Sequence, residues 1–255
     1  MKLNFKEYGN GKPLVILHGL FGSLDNWFSL AKAFTDNYHV YLVDQRNHGQ
    51  SPHSDSHTYD EMAEDLFEFF QNHNLKGAIL IGHSMGGKTA MKFSAAHSDL
   101  LDKLVVVDMG VKGYPVHHDL IIRGMQAMDL RNISSRSEAE GSLRHLLDEE
   151  ESTIQFLLKN IYREKQEDGS VKYAWRFNLD VLAADIEEMG LPILSGSDVE
   201  ALFLYGTQSK YVLEEDKQGI LSLFPNATFK DLKTGHWLHA QDPEGFASAV
   251  KEFID

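Results

Sequence analysis

Residues 78–88 read Ala-Ile-Leu-Ile-Gly-His-Ser-Met-Gly-Gly-Lys, an apolar run that breaks into G-x-S-x-G at Gly82, Ser84 and Gly86 and then continues into helix formers. Ala78–Ile81 suits a strand buried on both faces, and Thr89–Ala96 suits the helix that follows. A serine at so sharp a strand-to-helix turn is forced into a strained backbone, so the positions two before and two after it must lack bulk. The stretch therefore predicts a nucleophile elbow. Ser84 Oγ stands clear of the sheet there, and the amide of Met85, at the helix N-terminus, points at any anion that forms.

Working outward, further apolar runs occur at Leu14–Leu17, Val40–Val43, Leu104–Val107 and Ala201–Tyr205, with helical patterns between most of them. This alternation predicts an α/β fold with a mostly parallel central sheet flanked by helices. Thr58 and Glu61 form a T-x-x-E capping box ahead of Met62, Leu66, Phe69 and Phe70, which marks one crossover helix. Asp242-Pro243 starts another, with Phe246, Val250 and Phe253 on one face. Between Asp108 and Ala201 the rhythm fails. Residues 113–196 carry helical patterns at Leu120–Leu130, Ser137–Leu147 and Thr153–Tyr162 but no core-like strand, and read as a helical cap inserted into a core of residues 1–112 and 197–255. Inserted at the carboxyl end of a strand, such a cap lies over the crevice that contains Ser84.

The 255 residues are 42% hydrophobic, enough for a globular core, and contain no Cys, which removes disulfides, thiolate nucleophiles and Cys-based zinc sites and fits a reducing compartment. The N-terminus has no apolar signal-like region and no run approaches eighteen apolar residues, so a cytoplasmic protein without membrane association is expected. A formal net charge of −14 argues against nucleic-acid and anionic membrane partners, and makes a polyanionic substrate dependent on a local basic cluster.

A serine needs a base, and the base needs a carboxylate to hold its tautomer. Among thirteen histidines, His236 in Thr-Gly-His-Trp-Leu-His follows the alternating stretch Thr228–Leu232 at the expected carboxyl edge; His239 is its competitor. For the acid, Asp108 ends the strand Leu104–Val107, next to the one bearing Ser84. The usual later position holds Ser209 instead, which leaves Asp216 as the reserve. The second oxyanion donor falls in His18-Gly19-Leu20-Phe21-Gly22, at the amide of Leu20 with Phe21 as the alternative. Asp44 and Arg46 read as braces of a turn beneath the site, and the adjacent His117 and His118 as a solvated surface lacking zinc spacing. No cofactor and no metal are expected.

His18-Gly19, D-x-R-x-x-G at Asp44–Gly49, G-H-S-M-G-G at Gly82–Gly87 and G-H-W at Gly235–Trp237 together resemble the α/β-hydrolase superfamily. Within it, His18–Asn26, Arg46–Gly49, Gly82–Lys88, Asp102–Val105, Gln155–Lys159, Trp175–Asn178 and Gly235–Ala240 resemble the bacterial YbfF-type esterases. The resemblance spans cap and core. It implies a serine hydrolase on small to medium acyl esters, with acyl thioesters as a second class, and a triad acid after the sixth strand, where the cap is inserted. Phe21, Met85, Trp175, Phe177 and Trp237 are candidates to line an acyl pocket. Residues 113–196 hold nine Lys and Arg against fifteen Asp and Glu, so only a clustering of Arg123, Arg131, Arg136 and Arg144 would serve a CoA thioester. Two other readings keep the fold: a triad-dependent lyase or C–C bond hydrolase, and a slow-turnover small-molecule receptor. Either a monomer or a homodimer fits.

Overall fold

Val15 and Leu17 face one apolar layer while Leu14 and Ile16 face another, and the same period-two sorting sets Leu80 against Ile79 and Ile81, and Val106 against Val105 and Val107. The strands are therefore buried on both faces, as their near-continuous apolar sequences require. The computed structural model describes residues 1–116, 118–147, 149–165, 169 and 171–255.

The strands are β1 (Phe5–Tyr8), β2 (Lys12–Leu17), β3 (Tyr38–Val43), β4 (Ala78–His83), β5 (Leu101–Val107), β6 (Ile161–Lys165), β7 (Val171–Trp175), β8 (Glu200–Gly206) and β9 (Ala227–Leu232). Seven form one sheet in the order β1-β3-β2-β4-β5-β8-β9, parallel throughout except for the antiparallel edge strand β1. Counted along this chain, the strand before the insertion is the fifth and not the sixth, because a single edge strand precedes β2. The helices are α1 (Phe28–Ala31), α2 (Tyr59–Asn72), α3 (Met85–Ala96), α4 (Asp119–Ala127), α5 (Arg136–Leu146), α6 (Glu151–Leu158), α7 (Leu179–Ala184), α8 (Ile186–Gly190), α9 (Lys217–Leu223), α10 (Leu238–Gln241) and α11 (Pro243–Ile254). α2, α3 and α9 cover one sheet face; α1, α10 and α11 cover the other.

Both predicted caps form. Thr58 Oγ1 accepts from the Glu61 amide and the Glu61 carboxylate accepts from the Thr58 amide; Asp242 accepts from the Gly245 amide, with Pro243 at the first helical turn. The stretch between β5 and β8 contains α4–α8 and has an apolar cluster of its own, including Ile122, Met125, Leu143, Ile154, Leu158 and Leu182, which Phe21 joins from the sheet side. The antiparallel pair β6–β7 within it was not expected. β6 is Ile-Tyr-Arg-Glu-Lys and mostly exposed, so no apolar run announced it. His117 lies outside the described residues. Among the described residues no helix is long and apolar enough to cross a membrane.

Glycine is required where β4 meets α3. A Cβ on Gly82 would collide with the Gly86 carbonyl, and one on Gly86 would stand 2.6 Å from the His18 carbonyl oxygen and 2.8 Å from that of Leu17, both fixed backbone. Gly141, exposed within α5, has nothing within 4 Å of its added Cβ. Gly86→Ala should destabilise by about 1–3 kcal/mol through overpacking, whereas Gly141→Ala should stabilise by about 0.5–1 kcal/mol through helix propensity. Thermal unfolding of the two variants reads the opposite signs directly.

Candidate active site

The turns at the carboxyl ends of β2, β4, β5 and β9 supply the site. After β4, Ser84 adopts φ 54° and ψ −118°, a strained conformation for a residue with a side chain. Its amide donates to the Val107 carbonyl at 3.0 Å, and its carbonyl accepts from the Gly87 amide at 2.8 Å. These two bonds tie the strained residue to the neighbouring strand and to the first turn of α3.

After β5, Asp108 is also left-handed, with φ 47°, and is fully buried. Its amide donates to the Leu204 carbonyl at 2.8 Å. Its carboxylate accepts three hydrogen bonds: from His236 Nδ1 at 2.7 Å and Ser209 Oγ at 2.5 Å on Oδ2, and from the Gly206 amide at 3.0 Å on Oδ1. A buried carboxylate needs such partners to remain charged. The bond at Nδ1 fixes the tautomer in which His236 Nε2 keeps its lone pair. The Tyr211 ring stacks on the imidazole at 4.2 Å, and the Tyr211 amide donates to Ser209 Oγ at 3.2 Å, so one serine both accepts and donates in the support of the pair. His83 Nε2 lies 2.9 Å from the His236 carbonyl and donates to it.

Asp216, the reserve acid, is engaged elsewhere: it binds Lys112 at 2.5 Å and accepts from the Leu213 amide at 2.8 Å. His239, the reserve base, is partly buried and stacked on Trp27 at 4.2 Å. Ser84 and His236 line the same cavity of about 430 Å³, together with Leu20, Phe21 and Trp237. The hydrogen bond between Ser84 Oγ and His236 is not formed here, a separation common in unliganded sites that closes on a bound substrate.

The loop after β2 separates the two candidate oxyanion donors. Phe21, with φ 57°, commits its amide to His48 Nε2 at 3.1 Å, while His48 Nδ1 donates to the Arg46 carbonyl at 2.9 Å. The amides of Leu20 and Met85 donate to no protein acceptor among the described residues. This favours Leu20 over Phe21. Neither Trp175 nor Phe177 lines the cavity: the Trp175 ring stacks on Phe177 at 5.2 Å, and Phe177 in turn lies 5.2 Å from Phe21, so Trp175 stands two rings behind the wall. Asp44 accepts from the Leu24 and Gln50 amides and Arg46 pairs with Asp65 at 2.6 Å, which makes both turn braces, as expected. The four arginines do not gather at this cavity. Arg123 lines another, and Arg144 is paired with Glu140 and Glu151.

Sequence reasoning missed Ser209 as a partner of the acid, and also His83 and Tyr211. The signal was present for the first: a hydroxyl where an adjacent strand would otherwise offer a carboxylate can donate to the acid that took its place.

Five histidines near the site, four buried and His239 partly so, are held neutral by loss of solvation. It lowers the pKa of His18, pushes His48 and His83 well below the ordinary 6.5, and brings His57 and His239 to about 3. The unfolded chain takes up these protons near 6.5 and the folded chain does not. The stabilisation is thus complete above pH 6.5 and is lost as pH falls towards the folded values, at up to about 1.4 kcal/mol per unit for each histidine. Tm should fall steadily from pH 6.5 to 5, and His239→Phe, which keeps the stack on Trp27, should flatten the slope; a level Tm over that interval would contradict the assignment.

A family model described as alpha/beta hydrolase fold matches residues 12–123. The chain is 36% identical to esterase YbfF of Escherichia coli (strain K12) over the whole of both chains. It is 38% identical to the sn-1-specific diacylglycerol lipase ABHD11 of Mus musculus, across 94% of this chain and 80% of that one. A solved structure described as a marine microorganism esterase superposes with a TM-score of 0.94 at 42% identity, covering 99% of each chain.

Proposed function

The chain belongs to the α/β-hydrolase family, among proteins similar to the YbfF esterase, and from that premise we propose that it is a serine carboxylesterase working through an acyl-enzyme on Ser84. The observation that carries this reading is the imidazole of His236, held at Nδ1 by a buried three-bonded carboxylate, beside a strained serine and two unengaged backbone amides.

In this reading His236 Nε2 takes the proton of Ser84 as Oγ attacks the ester carbonyl, and the Leu20 and Met85 amides hold the resulting oxyanion. Collapse expels the alkoxide, which takes the same proton from His236. Water then attacks the acyl-enzyme, giving its proton to His236, and Ser84 leaves with that proton restored while the acid is released. Asp108 stays ionised throughout and stabilises the imidazolium. Residues 113–196 act as the cap over this crevice, and a reducing, cytoplasmic setting suits a chain without Cys.

The thioester and C–C bond readings receive less support. Among the described residues no arginine lines the Ser84 cavity, and its one cationic side chain, Lys159, stands with Glu149 at the same rim. Neither a CoA phosphate cluster nor a dicarboxylate clamp is built there.

Ser84→Ala should abolish hydrolysis of p-nitrophenyl acetate. Asp108→Asn should lower kcat by roughly 10⁴-fold, the loss expected when the orienting acid no longer fixes the tautomer, whereas Asp216→Asn should leave kcat within a few-fold of the parent. Steady-state kinetics on the three variants, with folding checked by circular dichroism, decides; the reverse order of the two aspartates would move the acid to the later strand.

A further inference from the structure

Ser84 borders two cavities of unequal size. The larger, about 430 Å³, includes His236 and Trp237 in its wall and reaches solvent past exposed Glu149, Ser152, Lys159 and Gln241. The smaller, about 50 Å³, is lined by Ser84, Leu20 and Met85 together with Tyr59, Met109 and Ile186, and does not include His236. Two of its tyrosine hydroxyls are engaged: Tyr59 donates to the Met189 carbonyl at 3.1 Å, and Tyr114 donates to the Tyr211 carbonyl at 2.6 Å while accepting from the Gly110 amide at 2.8 Å. Val116, Met109, Ile186 and Met189 add apolar surface, and the rings of Tyr211 and His118 complete the wall.

The chemistry proposed for Ser84 decides which half of an ester enters which cavity. The tetrahedral carbon carries Ser84 Oγ, the oxyanion, the leaving oxygen and the acyl chain. The leaving oxygen must receive its proton from His236, so it lies on the side of the cavity that His236 lines. The acyl chain, on the opposite side of the carbon, is directed away from His236 and past the oxyanion amides of Leu20 and Met85. We propose that the small cavity is the acyl subsite and the large one the alcohol subsite, so that the substrate is a short, unbranched acyl ester of a bulkier alcohol. The inference rests on the serine-esterase reading above. At about 10–15 Å³ for each water-sized group, the smaller cavity holds roughly four such groups, which sets the acyl chain at two to about five carbons. The rim of Glu149, Ser152, Lys159 and Gln241 offers donors and acceptors of both signs to the alcohol, and none faces the acyl side.

Two ester series separate the subsites: p-nitrophenyl esters with acyl chains from acetate to dodecanoate, and acetate esters of alcohols from methanol to octanol followed by pH-stat. The expected kcat/KM peaks between acetyl and butyryl in the first series and drops at least tenfold by octanoyl, while in the second it holds or rises with alcohol length. Met189→Ala, which keeps the backbone carbonyl bound by Tyr59 but widens the small cavity, should move the acyl optimum two or more carbons longer without altering the alcohol series. A first series that climbs to octanoyl or beyond while the second collapses would reverse the assignment, as would a Met189→Ala effect confined to the alcohol series. Absence of Ser84-dependent turnover in both series would instead remove the esterase premise, and the subsite assignment with it.

Discussion

Four neighbouring strands, β3, β2, β4 and β5, each lead out of the sheet at the carboxyl edge into a non-glycine residue at positive φ: Asn47 at 61°, Phe21 at 57°, Ser84 at 54° and Asp108 at 47°. Each such residue costs on the order of 1–3 kcal/mol, and the surrounding contacts must over-determine them. They do so specifically. Phe21 is fixed by His48 on its amide and by Asn160 on its carbonyl at 2.7 Å; Asn47 takes the Asn178 amide on its carbonyl at 2.9 Å. Ser84 and Asp108 are stitched to the adjacent strands by their own amides. Two of these clamps, Asn160 and Asn178, come from the segment between β5 and β8, which thus braces the loops at this edge.

The same edge explains how the acid is distributed. Asp108 on one strand end and Ser209 beyond the next form one unit: the carboxylate supplies the charge, and the hydroxyl, itself held by the Tyr211 amide, fills the remaining lone pair. A buried carboxylate oxygen without a donor would be penalised by desolvation, and the Gly206 amide supplies one to Oδ1. The histidines around the site follow a related logic. His48 and His83 each use one ring nitrogen to fix a backbone group of a working loop, the Phe21 amide in one case and the His236 carbonyl in the other, and burial keeps both neutral for that task.

The parts of this arrangement legible in the sequence were those carried by local rules. The β4–Ser84–α3 turn was readable from Gly82, Gly86 and an apolar run, and α2 and α11 from their caps, because each signal lies within a few residues. Asp108 was placed at this edge by strand order and by the absence of a carboxylate near Ser209. The rest depends on which side chains meet in three dimensions. Trp175 belongs to the aromatic stack but stands behind Phe177, a distinction of ring layers that composition cannot carry. β6 is mostly exposed and charged, and its partner β7, Val-Lys-Tyr-Ala-Trp, is short and only partly buried, so neither reads as a core strand. The small cavity is walled in part by Tyr59, Met109 and Ile186, drawn from three distant segments.

In the proposed mechanism a strained serine, a tautomer-fixed imidazole and a buried carboxylate converge on a single activated nucleophile, Ser84. Titration with diethyl p-nitrophenyl phosphate, with the adduct located by peptide mass spectrometry, tests that claim most directly. The account predicts release of one equivalent of p-nitrophenol, a diethylphosphoryl group on Ser84 and complete loss of esterase activity in proportion. An adduct on any other residue, or hydrolysis that persists once Ser84 is fully modified, would contradict it.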